Sequence, residues 1–207
     1  MDIMAVLTLS ASLFFILNPF ASLPVFLSIT KGLDEKAVKS YANKAITVAA
    51  ILLFVFMFIG PSLMSIFNVT MESFRVAGGV MLMLMAVEIV FGLRLSKVKD
   101  EKGAAWVIIA TPILTGPGVI TAAILFSSQY GILPVMAAGI ISLAATWVIL
   151  RFTPLIMRYV GEQAISIVSK IIGLLIAAMA VEYMLRGIVE WMRLYAADAL
   201  SAAAVLL

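Results

Sequence analysis

The chain contains neither cysteine nor histidine. Disulfides, thiolate nucleophiles and imidazole metal sites or proton shuttles are thereby excluded, and any proton chemistry has to run through carboxylates. Charge is scarce as well: 12% of the 207 residues are Asp, Glu, Lys or Arg, against 64% hydrophobic residues and a mean hydropathy of +1.19. Soluble domains carry about 25% charged residues, so this is the composition of a polytopic membrane protein whose first partner is the lipid bilayer. No basic cluster is interleaved with aromatics, which argues against nucleic acid as a partner. No cofactor and no metal is expected. The first hydrophobic run has no signal-peptide cleavage pattern before it, so the amino terminus is expected to be mature as written and the run to span.

What the chain does have is six long apolar runs: Ile3 to Ile29, Ser40 to Phe67, Phe74 to Leu93, Ala104 to Ser127, Ile132 to Val160 and Ala164 to Leu194. Each suffices for the roughly 20 residues that cross the hydrocarbon layer, and the longer ones have length to spare for tilt. Their connections alternate in charge. Lys31 to Lys44, Arg94 to Lys102 and the joint near Arg151, Arg158 and Lys170 hold eleven cations, against three (Arg75, Arg186, Arg193) on the other side. By the positive-inside rule both termini are expected outside, in a cell (plasma) membrane. Arg151 is expected to snorkel to the inner surface in preference to pairing with an acidic group. Ser201 to Leu207 is read as an appended tail, leaving a single transmembrane domain over residues 1–200.

Comparing the two halves reveals a repeat. A shift of 93 positions places Pro19 on Pro112, Pro24 on Pro117, Pro61 on Pro154 and Ser28 on Thr121. A shift of 94 places Gly79 on Gly173 and Met85-Ala86-Val87-Glu88 on Met179-Ala180-Val181-Glu182. Each half (about 1–94 and about 103–195) holds three spans, an odd number, so the second copy must cross the membrane upside down. The expected fold is an all-α, six-helix, 3+3 inverted-topology repeat, the architecture that secondary transporters use for alternating access.

Two prolines five residues apart interrupt the first span at Asn18-Pro19-Phe20-Ala21-Ser22-Leu23-Pro24, and two interrupt the fourth at Thr111-Pro112-Ile113-Leu114-Thr115-Gly116-Pro117-Gly118. A proline inside a continuous helix costs about 3 kcal/mol, and irregular backbone survives in a bilayer only where protein or a water-filled cavity satisfies it. The first and fourth helices are therefore expected to be discontinuous. Their second halves would bring free N–H groups to the midplane from opposite directions, a setting that favours an anion such as a carboxylate. Asn18, Ser22, Thr111 and Thr115 offer hydrogen bonds there, Ala21, Gly116 and Gly118 leave room, and Pro19 fixes the break. A simple proline kink with back-bonded Ser and Thr is the competing reading of either break alone. Gly78-Gly79 and Gly173 are read as close helix contacts instead of ligand contacts.

Glu88 and Glu182 are the acidic residues clearly inside spans, and they are repeat equivalents. A carboxylate near the bilayer centre costs at least ~2.5 kcal/mol on insertion scales, which makes both candidates for proton coupling or gating. Glu182 precedes Arg186 by four residues, the favourable order for a helical ion pair, so neutralisation competes with function there.

On these residues, the two proline-containing breaks and the duplicated Met-Ala-Val-Glu segment above all, the chain resembles the MarC family of integral membrane proteins, and within it the archaeal SnatA branch of small neutral amino acid transporters. The likeness runs over about Met1 to Tyr195. It implies uptake of glycine, alanine or a similar small neutral amino acid, coupled to an ion gradient, with substrate between the two broken helices. A proton is expected as coupling ion in preference to Na⁺. The residues themselves support a small, carboxylate-bearing ligand. A channel or passive pore is the alternative, and an intramembrane enzyme ranks last, for want of Cys, His or an in-span Asp pair. The oligomeric state is left open.

Overall fold

The computed structural model describes residues 3–92, 114 and 116–205, with side chains as far as residue 196. Eight helices and no strand occur among them: α1 (Ile3–Leu17), α2 (Pro19–Thr30), α3 (Glu35–Ile66), α4 (Met71–Phe91), α5 (Pro117–Tyr130), α6 (Ile132–Arg151), α7 (Thr153–Val160) and α8 (Glu162–Val205). Helices satisfy their own backbone, as hydrocarbon demands. Four of them, α3, α4, α6 and α8, are each long and apolar enough to cross a bilayer, and α1 with α2 makes a fifth span bent by 43°. The first half of the expected fourth span, 104–113, lies outside the described residues, as does Thr115; its described part is Leu114 and 116–127, within or just before α5. The fifth is divided into α6 and α7. At 44 residues α8 is about 66 Å long, well beyond the ~30 Å hydrocarbon layer, and it carries helix through Ser201 to Val205.

Short polar signals set the boundaries. Asp34 caps α3 by accepting from the Ala37 N–H at 2.9 Å, and Thr70 caps α4 by accepting from the Ser73 N–H at 3.2 Å. Gly131 and Gly161 stand at φ +82° and +80° between consecutive helices, where an L side chain would be strained. The prolines behave unequally. Pro24 and Pro61 sit inside α2 and α3, whereas Pro154, the counterpart of Pro61, sits in the first turn of α7. A first-turn proline loses no hydrogen bond, so α7 can start where α3 runs on.

Along α3 the buried residues Val38, Ala42, Ala45, Ala49, Leu53, Met57, Gly60 and Met64 recur every three or four positions, while Ile51 and Phe58 on the other side are exposed. One stripe thus faces protein and the opposite face is apolar and open, the pattern of a helix between core and lipid. At the lysine-rich end, Arg151 does not simply snorkel: it pairs with Glu35 at the start of α3, and the Trp147 indole N–H donates to Asn43 Oδ1 at 2.7 Å. Together they tie α3 to α6.

The α4–α8 contact rests on glycine. A Cβ on Gly79 would meet the Ala180 carbonyl oxygen at 2.7 Å and collide with Met184; one on Gly173 would meet Ile89 and Val90 at 2.9 Å; one on Gly187 would meet the Glu72 carbonyl oxygen at 2.8 Å. As the position on α4 rises the partner on α8 falls, so the two helices run antiparallel. The close-contact reading of Gly79 and Gly173 holds, and small residues are what lets two backbones approach in lipid.

Candidate functional site: a broken helix beside a cavity

The first span breaks at Asn18. Its N–H still closes the last turn of α1, donating to Phe14 O at 3.1 Å, but its backbone turns to φ 40°, ψ 66° and α2 restarts at Pro19. Asparagine tolerates this left-handed conformation better than most L residues because its short polar side chain bonds locally. Here Oδ1 accepts from the Ala21 N–H at 3.3 Å. Pro19 brings no N–H, so the Phe15 carbonyl loses its helical donor. Asn18 is 3% exposed, and its Nδ2 has no hydrogen-bond partner among the described residues. A buried amide donor without an acceptor costs about 1–3 kcal/mol, so Nδ2 calls for an acceptor from beyond the described residues, a ligand or another part of the chain.

Immediately past the break, Phe20, Ala21 and Pro24 line a cavity of about 430 Å³, inside the ~300–1,000 Å³ range of small-molecule sites. Its other walls are Glu88, Ile89 and Gly92 at the end of α4 and Glu162, Ile165, Ser166 and Ser169 at the start of α8. Since α4 ends and α8 begins there, the cavity runs from the first turn of α2 toward the lysine-rich face. Glu88 is half-buried, with the broken helix across the cavity from it.

Glu182 stands elsewhere. It accepts from Arg186 Nε at 2.6 Å, the i, i+4 pair the spacing allows, and both side chains are more than half exposed. With Gln129, Tyr130, Met179, Tyr183 and Arg186 it lines a second cavity of about 350 Å³. In the antiparallel α4–α8 register, Glu88 lies level with about residue 174 and Glu182 with about residue 80, roughly 12 Å apart along the axis. The two glutamates therefore border separate cavities, Glu88 near the carboxyl end of α4 and Glu182 level with its middle.

A model of the MarC family of integral membrane proteins matches residues 3–192. The chain belongs to the MarC family. This MarC protein is accordingly an integral, multi-pass membrane protein. It is 30% identical over 200 residues to a UPF0056 membrane protein of Methanocaldococcus jannaschii, covering 91% of this chain and 98% of the relative. It is 27% identical to the UPF0056 membrane protein YhcE of Escherichia coli, covering 85% and 88%, and 25% identical to the UPF0056 inner membrane protein YhgN of the same organism, covering 91% and 98%. No solved structure matches the chain.

Among the residues singled out in the MarC sequence, the structure brings Ala21 and Glu88 to one cavity and places Asn18, Pro19 and Ser22, all buried, at the break one turn away. Thr111 and Thr115 lie outside the described residues. Gly116 caps α5 at φ −74°, and a Cβ added there would meet no described atom within 4 Å, whereas Gly118 packs against Met85 and Leu82. Gly116→Val is thus expected to leave thermal stability unchanged and Gly118→Val to lower it, a difference that thermal unfolding measures. The α8 wall of the cavity was not foreseen. Its signal was available as a polar stripe at 162, 166 and 169, spaced i, i+4, i+7 at the start of an otherwise apolar run.

Proposed function

We propose that this MarC protein is a secondary active transporter of small neutral amino acids such as glycine and alanine, carrying them inward across the plasma membrane with a proton. In this reading the fold is a 3+3 inverted repeat with discontinuous first and fourth helices, both termini outside, and the substrate carboxylate lies at the break. The observation that carries the reading is the buried, left-handed Asn18, whose amide has no partner among the described residues, one turn from a cavity large enough for a small amino acid. A binding site at a helix break is where transporters built for alternating access hold their substrate.

Further support comes from the α4–α8 contact. Gly79 against Met184 and Gly173 against Val90 are the same contact seen from each half, since 94 positions separate Gly79 from Gly173 and Val90 from Met184. Such an exchange of partners is what a two-fold axis in the membrane plane would produce. The Escherichia coli relative YhgN is named an inner membrane protein, which accords with a plasma-membrane location.

With a net-neutral substrate, one accompanying proton moves one charge, worth about 2.3 kcal/mol per 100 mV of potential. Glu88 is the carboxylate placed to carry it, and Na⁺ is the second choice of coupling ion. Reconstituted in proteoliposomes, the protein is expected to accumulate glycine when a pH gradient or inside-negative potential is imposed. Uptake indifferent to both rejects proton coupling, and uptake that never saturates replaces the transporter by a pore. Glu88→Gln is expected to flatten the pH dependence of uptake; an unchanged pH profile would assign Glu88 a structural part.

A further inference from the structure

We infer that the α8 wall of the cavity is a subsite for a small cation, a primary ammonium group or a hard monovalent ion, built from Glu162, Ser166 and Ser169. The decisive residue is Ser169. It is 7% exposed and lines the cavity, yet its Oγ has no hydrogen-bond partner among the described residues.

Among the described residues Thr146 is the other buried helical hydroxyl without a partner, but it does not line this cavity. Ser10, Thr30, Ser142 and Thr153 all turn back to donate to a carbonyl three or four residues earlier, at 2.7–2.8 Å, the common way for a helix in lipid to silence a hydroxyl. Ser169 forgoes that bond, so its oxygen is left for something in the cavity. Ser166 and Glu162 follow on the same stripe, one and two turns nearer the α8 amino terminus. Glu88 adds a second carboxylate from across the space. Every side-chain polar atom that these four residues bring is an oxygen. Lys170 is one position beyond Ser169 and hence rotated about 100° from the stripe. A donor set made of carboxylate and hydroxyl oxygens selects hard cations or an ammonium group over anions. This is opposite in sign to the amide and helix amino terminus at Asn18. On the transporter reading, on which only this consequence rests, the two ends of a zwitterion are met by separate walls of one cavity.

The test is thermal unfolding of the purified protein in detergent at constant ionic strength, with choline chloride exchanged for sodium chloride or methylammonium chloride. Tm is expected to rise saturably with sodium, with methylammonium or with both. A response to methylammonium alone assigns the subsite to the substrate's ammonium, and one to sodium to an ion. Ser169→Ala and Glu162→Gln are each expected to raise the half-effect concentration at least tenfold. Ser169→Ala removes a hydroxyl that has no partner among the described residues, so it folds in choline as the wild type does; Ser166→Ala, at an exposed position, provides a second variant. No saturable shift in the wild type, or equal shifts in all variants, overturns the inference. A cation response without glycine binding supports the subsite and removes the transporter reading, while glycine binding without a cation response does the reverse.

Discussion

Asn18→Gly is expected to weaken glycine binding by at least tenfold and up to about 150-fold, with the helix break and the thermal stability retained. The range is the ~1.5–3 kcal/mol contributed by a hydrogen bond to a charged group, here the substrate carboxylate proposed to accept from Asn18 Nδ2. Glycine is the informative replacement because it enters the left-handed region freely and loses only a few tenths of a kcal/mol as an N-cap relative to asparagine. Asn18→Leu is the contrast. It loses the bond from the Ala21 N–H and forces a branched side chain into φ 40°, about 1–2 kcal/mol for the backbone and about 1 for the cap. Calorimetric glycine titration and thermal unfolding of both variants separate binding from folding. Should Asn18→Gly bind glycine as tightly as the wild type, the amide plays no part in recognition and the break is architectural.

The second large effect concerns the α4–α8 seam. Gly79→Ala is expected to lower stability by about 2–3 kcal/mol and Gly173→Ala by less, about 1–2, both within the range for overpacking a tight core. The inequality follows from what each new methyl meets. At Gly79 it meets the Ala180 carbonyl oxygen, which belongs to helix backbone and cannot yield without moving α8; at Gly173 it meets the Cγ2 atoms of Ile89 and Val90, side chains that can shift. Thermal unfolding in one detergent ranks the pair. Equal Tm values for Gly79→Ala and wild type would mean that the two helices stand further apart than their glycine contacts require.

The break itself was readable in the sequence because proline denies a helix one donor and asparagine accepts the left-handed region that follows from stopping it. Reading both prolines of each pair as part of the break went too far for Pro24, which α2 absorbs, and Pro61 and Pro154, identical in the repeat, differ in whether a helix begins there. Local chemistry sets the cost of a proline, but the neighbouring helices decide whether a chain kinks or restarts. Glu88 stood out as a lone carboxylate in an apolar run, and the structure gives it a cavity. Glu182 stood out equally, and the structure gives it Arg186, an outcome the four-residue spacing had already allowed. Ser169 was invisible for another reason: serine is common in membrane helices, and only the missing back-bond, a matter of geometry, distinguishes it from Ser10 or Ser142.

The most direct trial of the claim that substrate sits beside the broken helix uses the absence of native cysteine. Ala21→Cys puts a single thiol on the cavity wall in the first turn of α2, and its modification by a water-soluble maleimide is followed in detergent with and without glycine. The account predicts that saturating glycine slows labelling at least tenfold. Labelling at the same rate with and without glycine would contradict it.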